Sequence, residues 1–416
     1  MPDRASRRRP DRFGLDSRVS ARHECLKGGI AMEIGNTRDI DTAIRNARPL
    51  SLMAGQRSEL ADVERIWETE LAPELGAREA IRKQTISRAK SRTLLGVLAA
   101  LPVVIVMLFL SGGLGFFFPL SFFVGVIIVV GISGFDWLKV YSMKSQTKDL
   151  ILKTACKPFG FRYETLHPDL SGIENFQSLK TRGKELMEAI NGPQKGKERT
   201  ISTVFGDIQV TLHDTAGAPA PTPAYQVLKD AALLPGHSQR KFEDLIEGER
   251  AGAKFALVEA KLDTGGKNSQ TVFQGILIHI EYPQRFSGRT LMARSGWWKR
   301  GKGAGDLKKV DLISRELDEA FTVYSSDQVE ARALLSPDRM ERLIALERHF
   351  SGGKLRGLFD GGHMTIALEA GDQFEAGSVF KPLVDPRRFS TALSELGLVC
   401  DLIDGFLTRE WVQGRI

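Results

Sequence analysis

Three strings in this chain have the residue types and spacing of catalytic or nucleotide-binding chemistry. Gly296-Trp297-Trp298-Lys299-Arg300-Gly301-Lys302-Gly303 has the Gly-x4-Gly-Lys spacing of a phosphate-cradling loop. Position 303 lacks the hydroxyl that would reach magnesium, and Gly303-Ala304-Gly305-Asp306 is a poor start for the helix whose N–H groups should face phosphate. Asp263-Thr264-Gly265 imitates an aspartic-protease triplet. That chemistry needs two carboxylates sharing a proton, and the chain has only one such triplet, set in the polar company of a hairpin turn. Asp214-Thr215-Ala216-Gly217 has the look of a nucleotide switch, but it precedes the supposed phosphate loop and opens a Pro-rich stretch. No catalytic residue and no cofactor-binding residue is assigned.

Metals and disulfides fare no better. Cys25, Cys156 and Cys400 are odd in number and far apart, as expected in a reducing compartment, and the seven histidines form no His-Glu-x-x-His or His-x-His pattern. The net charge of +7 is concentrated at the start: residues 1–31 hold eight basic against four acidic residues, leaving only +3 for the remainder. Without a basic stripe interleaved with stacking aromatics, nucleic acid is not an expected partner. The expected partner is the lipid bilayer, with a protein partner or a second copy left open.

That expectation rests on the uncharged run Thr93–Phe135. A hydrocarbon core of about 30 Å takes roughly 20 helical residues, so the run supplies two crossings, about Leu94 to Leu110 and about Phe116 or Pro119 to Leu138. Ser111-Gly112-Gly113-Leu114-Gly115 is the turn between them. Arg78, Arg82, Lys83, Arg88, Lys90 and Arg92 precede the hairpin, and Lys139, Lys144, Lys148, Lys153 and Lys157 follow it. Basic flanks stay in the cytoplasm, so both termini are expected there, in a two-span protein.

The elements around the hairpin follow from periodicity. Residues 1–54 are expected to be disordered, in part even untranslated, because Lys27-Gly28-Gly29 before Met32 fits a ribosome-binding site upstream of a start. Residues 55–92 read as an amphipathic cytoplasmic helix, capped by Ser58, with Leu60, Val63, Trp67, Leu71 and Leu75 on one face and a kink at Pro73; its stripe is expected to pack within the fold. Residues 93–138 are the transmembrane helical hairpin, and 150–416 a cytoplasmic α+β domain whose Pro-rich loop, 214–225, is flexible. Within it the pattern predicts helices over Ile173–Ile190, Ser238–Glu247, from Ser336-Pro337, and from Asp385-Pro386 with Phe389, Leu393, Leu396 and Ile403 inward. Strands are expected over Thr200–His213, Lys254–Leu262, Val272–Tyr282, Arg289–Ala293, Phe321–Tyr324, Lys354–Phe359 and Met364–Leu368. Short turns between strands argue for a mainly antiparallel sheet with peripheral helices. A chain starting near Lys144 is expected to fold by itself.

Val272-Phe273-Gln274-Gly275-Ile276, Phe286-Ser287-Gly288-Arg289-Thr290, and above all Phe321-Thr322-Val323-Tyr324-Ser325-Ser326-Asp327-Gln328-Val329-Glu330-Ala331-Arg332 with Leu335-Ser336-Pro337, resemble the bacterial domain of unknown function 3137. The resemblance spans about Ala155 to Leu407. It implies a membrane-associated bacterial protein, hence the inner membrane, and brings no activity, substrate or catalytic residue. Two function classes follow: a non-enzymatic cytoplasmic interaction module anchored in the membrane, or a membrane-tethered hydrolase with no recognisable linear motif. One surface is singled out for contact with membrane or partner: Trp297 and Trp298, whose indoles suit the interface, beside Lys299, Arg300 and Lys302, whose charges suit anionic headgroups.

Overall fold

The computed structural model describes residues 48–110, 118–166, 198–203, 206–211, 220–266, 268–283, 285–296, 305–350, 353–371, 374–375 and 377–407. In chain order these form α1 (Arg48–Ala54), a 3-10 turn (Ser58–Leu60), α2 (Val63–Ile66), a π turn (Trp67–Leu71), α3 (Ala72–Leu110), α4 (Phe118–Cys156), β1 (Arg162–Thr165), β2 (Glu198–Thr203), β3 (Gly206–Thr211), α5 (Ala224–Asp230), β4 (Gln239–Arg250), β5 (Ala253–Asp263), β6 (Thr271–Glu281), β7 (Thr290–Arg294), β8 (Lys308–Val310), α6 (Arg315–Ala320), β9 (Phe321–Ser325), α7 (Gln328–Leu334), α8 (Pro337–His349), β10 (Gly353–Asp360), β11 (His363–Glu369) and α9 (Pro386–Leu407). The expected helix over Ile173–Ile190, the turn Ser111–Gly115 and residues 214–219 lie outside the described residues.

Nine strands make one sheet in the order β1-β4-β5-β6-β11-β10-β7-β9-β8. Every neighbouring pair is antiparallel, so the α+β class with a mainly antiparallel sheet is what the chain forms. Both faces are covered. On one, Ile246, Phe255, Leu257, Ile276, Ile278, Ile280, Met364 and Ile366 meet the helical layer of α1, the 58–75 segment, the end of α4, α8 and α9. On the other, Phe242, Val258, Ala260, Phe273 and Leu277 meet Tyr225 and Leu228 of α5 with Leu233 and Leu234 behind it.

The helical layer draws heavily on the segment before the hairpin. Leu50, Leu60, Val63, Trp67, Leu71 and Leu75 are buried in the same core as Phe389 and Leu393, and Trp67 stacks on Phe389 at 6.1 Å. The stripe therefore packs within the fold, and the core is not complete from Lys144 onward. Arg48–Ala54, inside the stretch expected to lack structure, is helical, and Leu50 has a place in that core. Ser58 sits inside the first turn and does not cap it; the preceding residue, Arg57, makes no side-chain capping bond. The break expected at Pro73 takes the form of the π turn just before it, where the widened backbone tolerates a residue that cannot donate.

Two other elements differ from the sequence reading. Residues 239–250 form a strand, where Ser238–Glu247 reads as a helix. A bulge between Phe242 and Leu245 shifts the alternation by one, so the buried positions Phe242, Leu245 and Ile246 mimic helical spacing. The single strand expected over Thr200–His213 is a hairpin, β2 pairing with β3 from Glu198↔Thr211 to Thr203↔Gly206. Val204-Phe205 between them gives no turn signal. Part of the loop expected to be flexible is packed as well: Thr222 and Tyr225 are buried, the latter against His237.

α3 and α4 each run 39 residues without interruption, about 58 Å apiece. Both contain stretches long and apolar enough to cross a membrane, with only 11% and 22% of those stretches buried. Leu94, Leu98, Ile105, Phe109, Phe123 and Ile127 point outward from the pair. Where the two helices touch, the residues are small: a Cβ on Gly96 would lie 3.1 Å from the Val129 backbone, and one on Gly125 would lie 3.0 Å from Val104. Close backbone approach of this kind is how helices pack when lipid, not water, surrounds them.

Candidate functional site

The residues of α4 beyond its apolar half bury one face. Thr147, Lys148, Ile151, Leu152 and Ala155 recur at three- and four-residue steps and are all buried, so a lysine takes a core position. Lys148 is 5% exposed and Asp244 on β4 is 0% exposed, with Nζ 2.7 Å from Oδ2. Glu375, in the loop between β11 and α9, approaches the same ammonium at 3.3 Å and pairs with Lys144 at 2.8 Å. Tyr163 on β1 donates to Asp244 Oδ1 at 2.7 Å, and also contacts Asp149 at 3.1 Å. Glu259 on β5 and Glu395 on α9 are buried beside them.

Ion pairs in this cluster join α4, β4 and the β11–α9 loop. Burial works against the Lys148 ammonium, but Asp244, then Glu375 and Glu259, hold its pKa above the lysine range. Glu375 is pulled below the carboxylate range by Lys144 and Lys148 despite its own burial. Glu395 goes the other way: burial pushes it up to about 7, only partly offset by Lys148 and the Phe374 N–H. Its Oε2 has no hydrogen-bond partner among the described residues.

Held between carboxylates, the ammonium is no nucleophile, and there is little room for a substrate. The adjoining crevice, lined by Lys144, Thr147, Gly377, Val379, Leu383 and Arg388, is a shallow notch open to solvent that encloses no space for a ligand. The arrangement clamps the helix leaving the apolar hairpin onto the sheet. Sequence reading counted Lys148 among the basic flanks and missed the clamp; the available signal was a lysine three and four residues before Ile151 and Leu152, on an apolar stripe.

The strings that carry the family resemblance form a second knot. Asp327 caps α7 by accepting from the Val329 and Glu330 N–H groups. Glu330, nearly buried, reaches back to accept from the N–H groups of Ser287 and Gly288 at 2.7 and 2.6 Å. Ser326 accepts from the Arg289 N–H, and Ser325 meets Thr290 at 2.9 Å. A Cβ on Gly288 would sit 2.7 Å from Asp327. The carboxylates and hydroxyls of the string thus close the β7 and β9 ends together, which explains their types without a substrate.

Of the motif-like strings, Asp263-Thr264-Gly265 is described, and it is a turn. Thr264 N–H donates to the Gln270 carbonyl, Thr271 Oγ1 donates to Asp263 Oδ1 at 2.7 Å, and Gly265 has φ +74°. Trp297, Trp298, Lys299, Arg300 and Lys302, singled out for contact, and the Gly-x4-Gly-Lys string beyond Gly296 lie outside the described residues, as does Asp214-Thr215-Ala216-Gly217. The chain enters that Trp-containing stretch from the end of β7. By register this is also the end of the sheet at which β11 stops, since Arg356 faces both Ala293 and Ala367. Among the described residues, no group of three or more His, Cys, Asp or Glu could hold a metal ion.

From that end of the sheet the loop between β11 and α9 climbs α3 and α4. Arg82, buried on α3, pairs with Glu79 and donates to the Val379 carbonyl at 2.9 Å, while Glu79 accepts from the Leu383 N–H at 3.0 Å. Val379 packs with Ile86, Ala89 and Val140. One residue on, Phe380 meets Trp137 at 6.2 Å, and the Trp137 indole donates to Thr93. Arg92 and Asp136 pair at the same level, where the apolar stretches begin.

Comparison with known proteins bears on the sheet domain. Comparison with curated proteins gives no match. Among solved structures, the crystal structure of the mycobacterial trehalose monomycolate transport factor A, TtfA, aligns with 62% of this chain and 95% of that chain at 12% identity, with a TM-score of 0.26, too loose a superposition to speak for fold or function. A family model described as protein of unknown function (DUF3137) matches residues 271–407, from β6 through α9, the span that contains all three strings of the resemblance. The resemblance read from the Tyr324 to Arg332 string is therefore to a real family, DUF3137, over residues 271–407.

Proposed function

We propose that this protein is a non-enzymatic interaction module anchored in the bacterial inner membrane, with both termini and the α+β domain in the cytoplasm and only the stretch around Gly113 reaching the other side. One observation carries the reading: the apolar halves of α3 and α4 are uncovered by protein, yet the same helices continue unbroken into the domain core, where Lys148 is clamped by Asp244. Apolar helices left bare in this way need lipid around them. The basic residues flanking the hairpin support the orientation. A tethered hydrolase finds no favouring observation among the described residues and is not carried further.

The test is topological. A reporter that works only in the cytoplasm should be active when fused after Ile416 and inactive when inserted at Gly113. Activity at Gly113 with silence at Ile416 would overturn the orientation, and recovery of the intact chain from the soluble fraction would overturn the anchoring.

A further inference from the structure

We propose that the loop Gly377–Asp385 rests on the cytoplasmic leaflet, with Phe380 seated at the boundary between headgroups and acyl chains. The proposal deepens the membrane reading above and rests on it. Phe380 is 55% exposed although the residues around it are tied down. Arg82 holds the Val379 carbonyl, Arg388 holds the carbonyls of Ser378 and Lys381, and Glu79 holds the Leu383 N–H. Val379 points into the α3–α4 stem and supplies the packing that anchors the loop. Phe380 is not needed for that. Its one ring neighbour among the described residues, Trp137, is itself partly exposed and stands where the second apolar stretch ends.

Chemistry at that level is what a bilayer surface presents a match for. Above Phe380 lie the outward apolar side chains of the hairpin, and Lys381, the next residue of the loop, is exposed. An aromatic pair with a lysine next to it in the loop suits the interface, where rings sit among headgroups and lysines meet lipid phosphates. A buried loop would not need its largest apolar side chain turned out beside a membrane span. The contact would fix the sheet domain close to the bilayer, with its β11 and β7 ends toward the lipid.

Site-directed nitroxide labelling of the full chain in vesicles containing anionic lipid tests this. Only Cys25 needs replacing, by Ser, because Cys156 and Cys400 are buried. Labels are placed at Phe380→Cys, at Ile105→Cys in the first apolar stretch, and at Val329→Cys on α7, both native side chains being well exposed. Relaxation by oxygen, which partitions into lipid, should exceed relaxation by a water-soluble nickel chelate several-fold at 105 and to a smaller degree at 380, with the reverse at 329. A water-like label at 380 beside a lipid-like label at 105 overturns this proposal and leaves the membrane anchor standing; a water-like label at 105 overturns both. Spin–spin broadening at 380 that disappears on dilution with unlabelled protein would assign the surface to a second copy instead, also against the proposal. As an independent readout, Phe380→Trp should lose fluorescence in brominated lipid relative to the unsubstituted chain; no added quenching counts against the contact.

Discussion

The two halves of α4 solve opposite solvation problems with one continuous helix. From Phe118 to Leu138 it turns Phe122, Phe123, Ile127 and Val130 outward and leaves them bare; from Lys144 to Cys156 it buries its inner face and takes a charged lysine in with it. In water the first half would be an aggregation site, and in lipid the second would be prohibitively charged. The difference teaches that burial cannot be read from residue type alone: apolar exposure is tolerated where the solvent is lipid, and an ammonium is tolerated in a core where carboxylates meet it.

Removing what the inner half packs against should have the largest effect. A chain starting at Lys144 loses Leu50, Leu60, Val63, Trp67, Leu71 and Leu75 from the core. At about 1.5–3 kcal/mol for each large apolar side chain, that loss rivals the whole stability of a typical domain, about 5–15 kcal/mol. Such a chain should be insoluble or protease-sensitive, whereas one starting at Arg48 should resist protease in detergent; a protease-resistant Lys144 fragment would show that the helical layer is dispensable.

Next comes the clamp itself. Lys148→Met leaves Asp244 buried without its cation and should cost about 3–5 kcal/mol, seen as a lowered unfolding midpoint in detergent. Adding Asp244→Asn to it should recover part of the loss. If the double variant is no better than the single one, the two side chains do not act as a pair.

The outer half is tested by close packing. Gly96→Leu forces a side chain against the Val129 backbone and should weaken the hairpin by about 1–3 kcal/mol. Gly131→Leu, at a position that meets nothing within 4 Å, should leave it unchanged. Equal effects of the two would mean that α3 and α4 do not pack through Gly96.

The smallest effect is a pH dependence at the clamp. Unfolded, the Glu395 carboxyl ionises near about 4.3; folded, burial holds it at about 7. The folded state therefore binds the extra proton between these values, so its contribution falls as pH rises through that window and levels off above it. Glu395→Gln should flatten the slope and stabilise the protein at pH 8 by about 1–2 kcal/mol, with a smaller gain at pH 5. Parallel pH profiles for variant and parent would place the titration elsewhere.

Much of the architecture is legible in the sequence because it depends on near neighbours. The strands β5, β6, β10 and β11, the Asp360-Gly361-Gly362 reversal and the inward face of α9 follow from alternation, glycine placement and helical spacing within a dozen residues. β8 is three residues long, too short for any period to register. β4 misleads because one bulge turns a period of two into apparent helical spacing. The Trp297 and Trp298 contact is an expectation from composition alone, and those residues lie outside the described ones.

What the sequence by itself determined is the uncharged hairpin with its basic flanks, the alternation of strands and turns, and the family string, since each is a property of contiguous residues. The clamp at Lys148, the reach of Glu330 to Ser287 and Gly288, and the seating of Val379 and Phe380 on the α3–α4 stem were decided only by the tertiary structure. Asp244 lies almost a hundred positions from Lys148, and Val379 almost three hundred from Arg82. Only the folded backbone brings such groups within bonding distance, and only there does burial decide whether a lysine is a solvated flank or the centre of an ion-pair cluster.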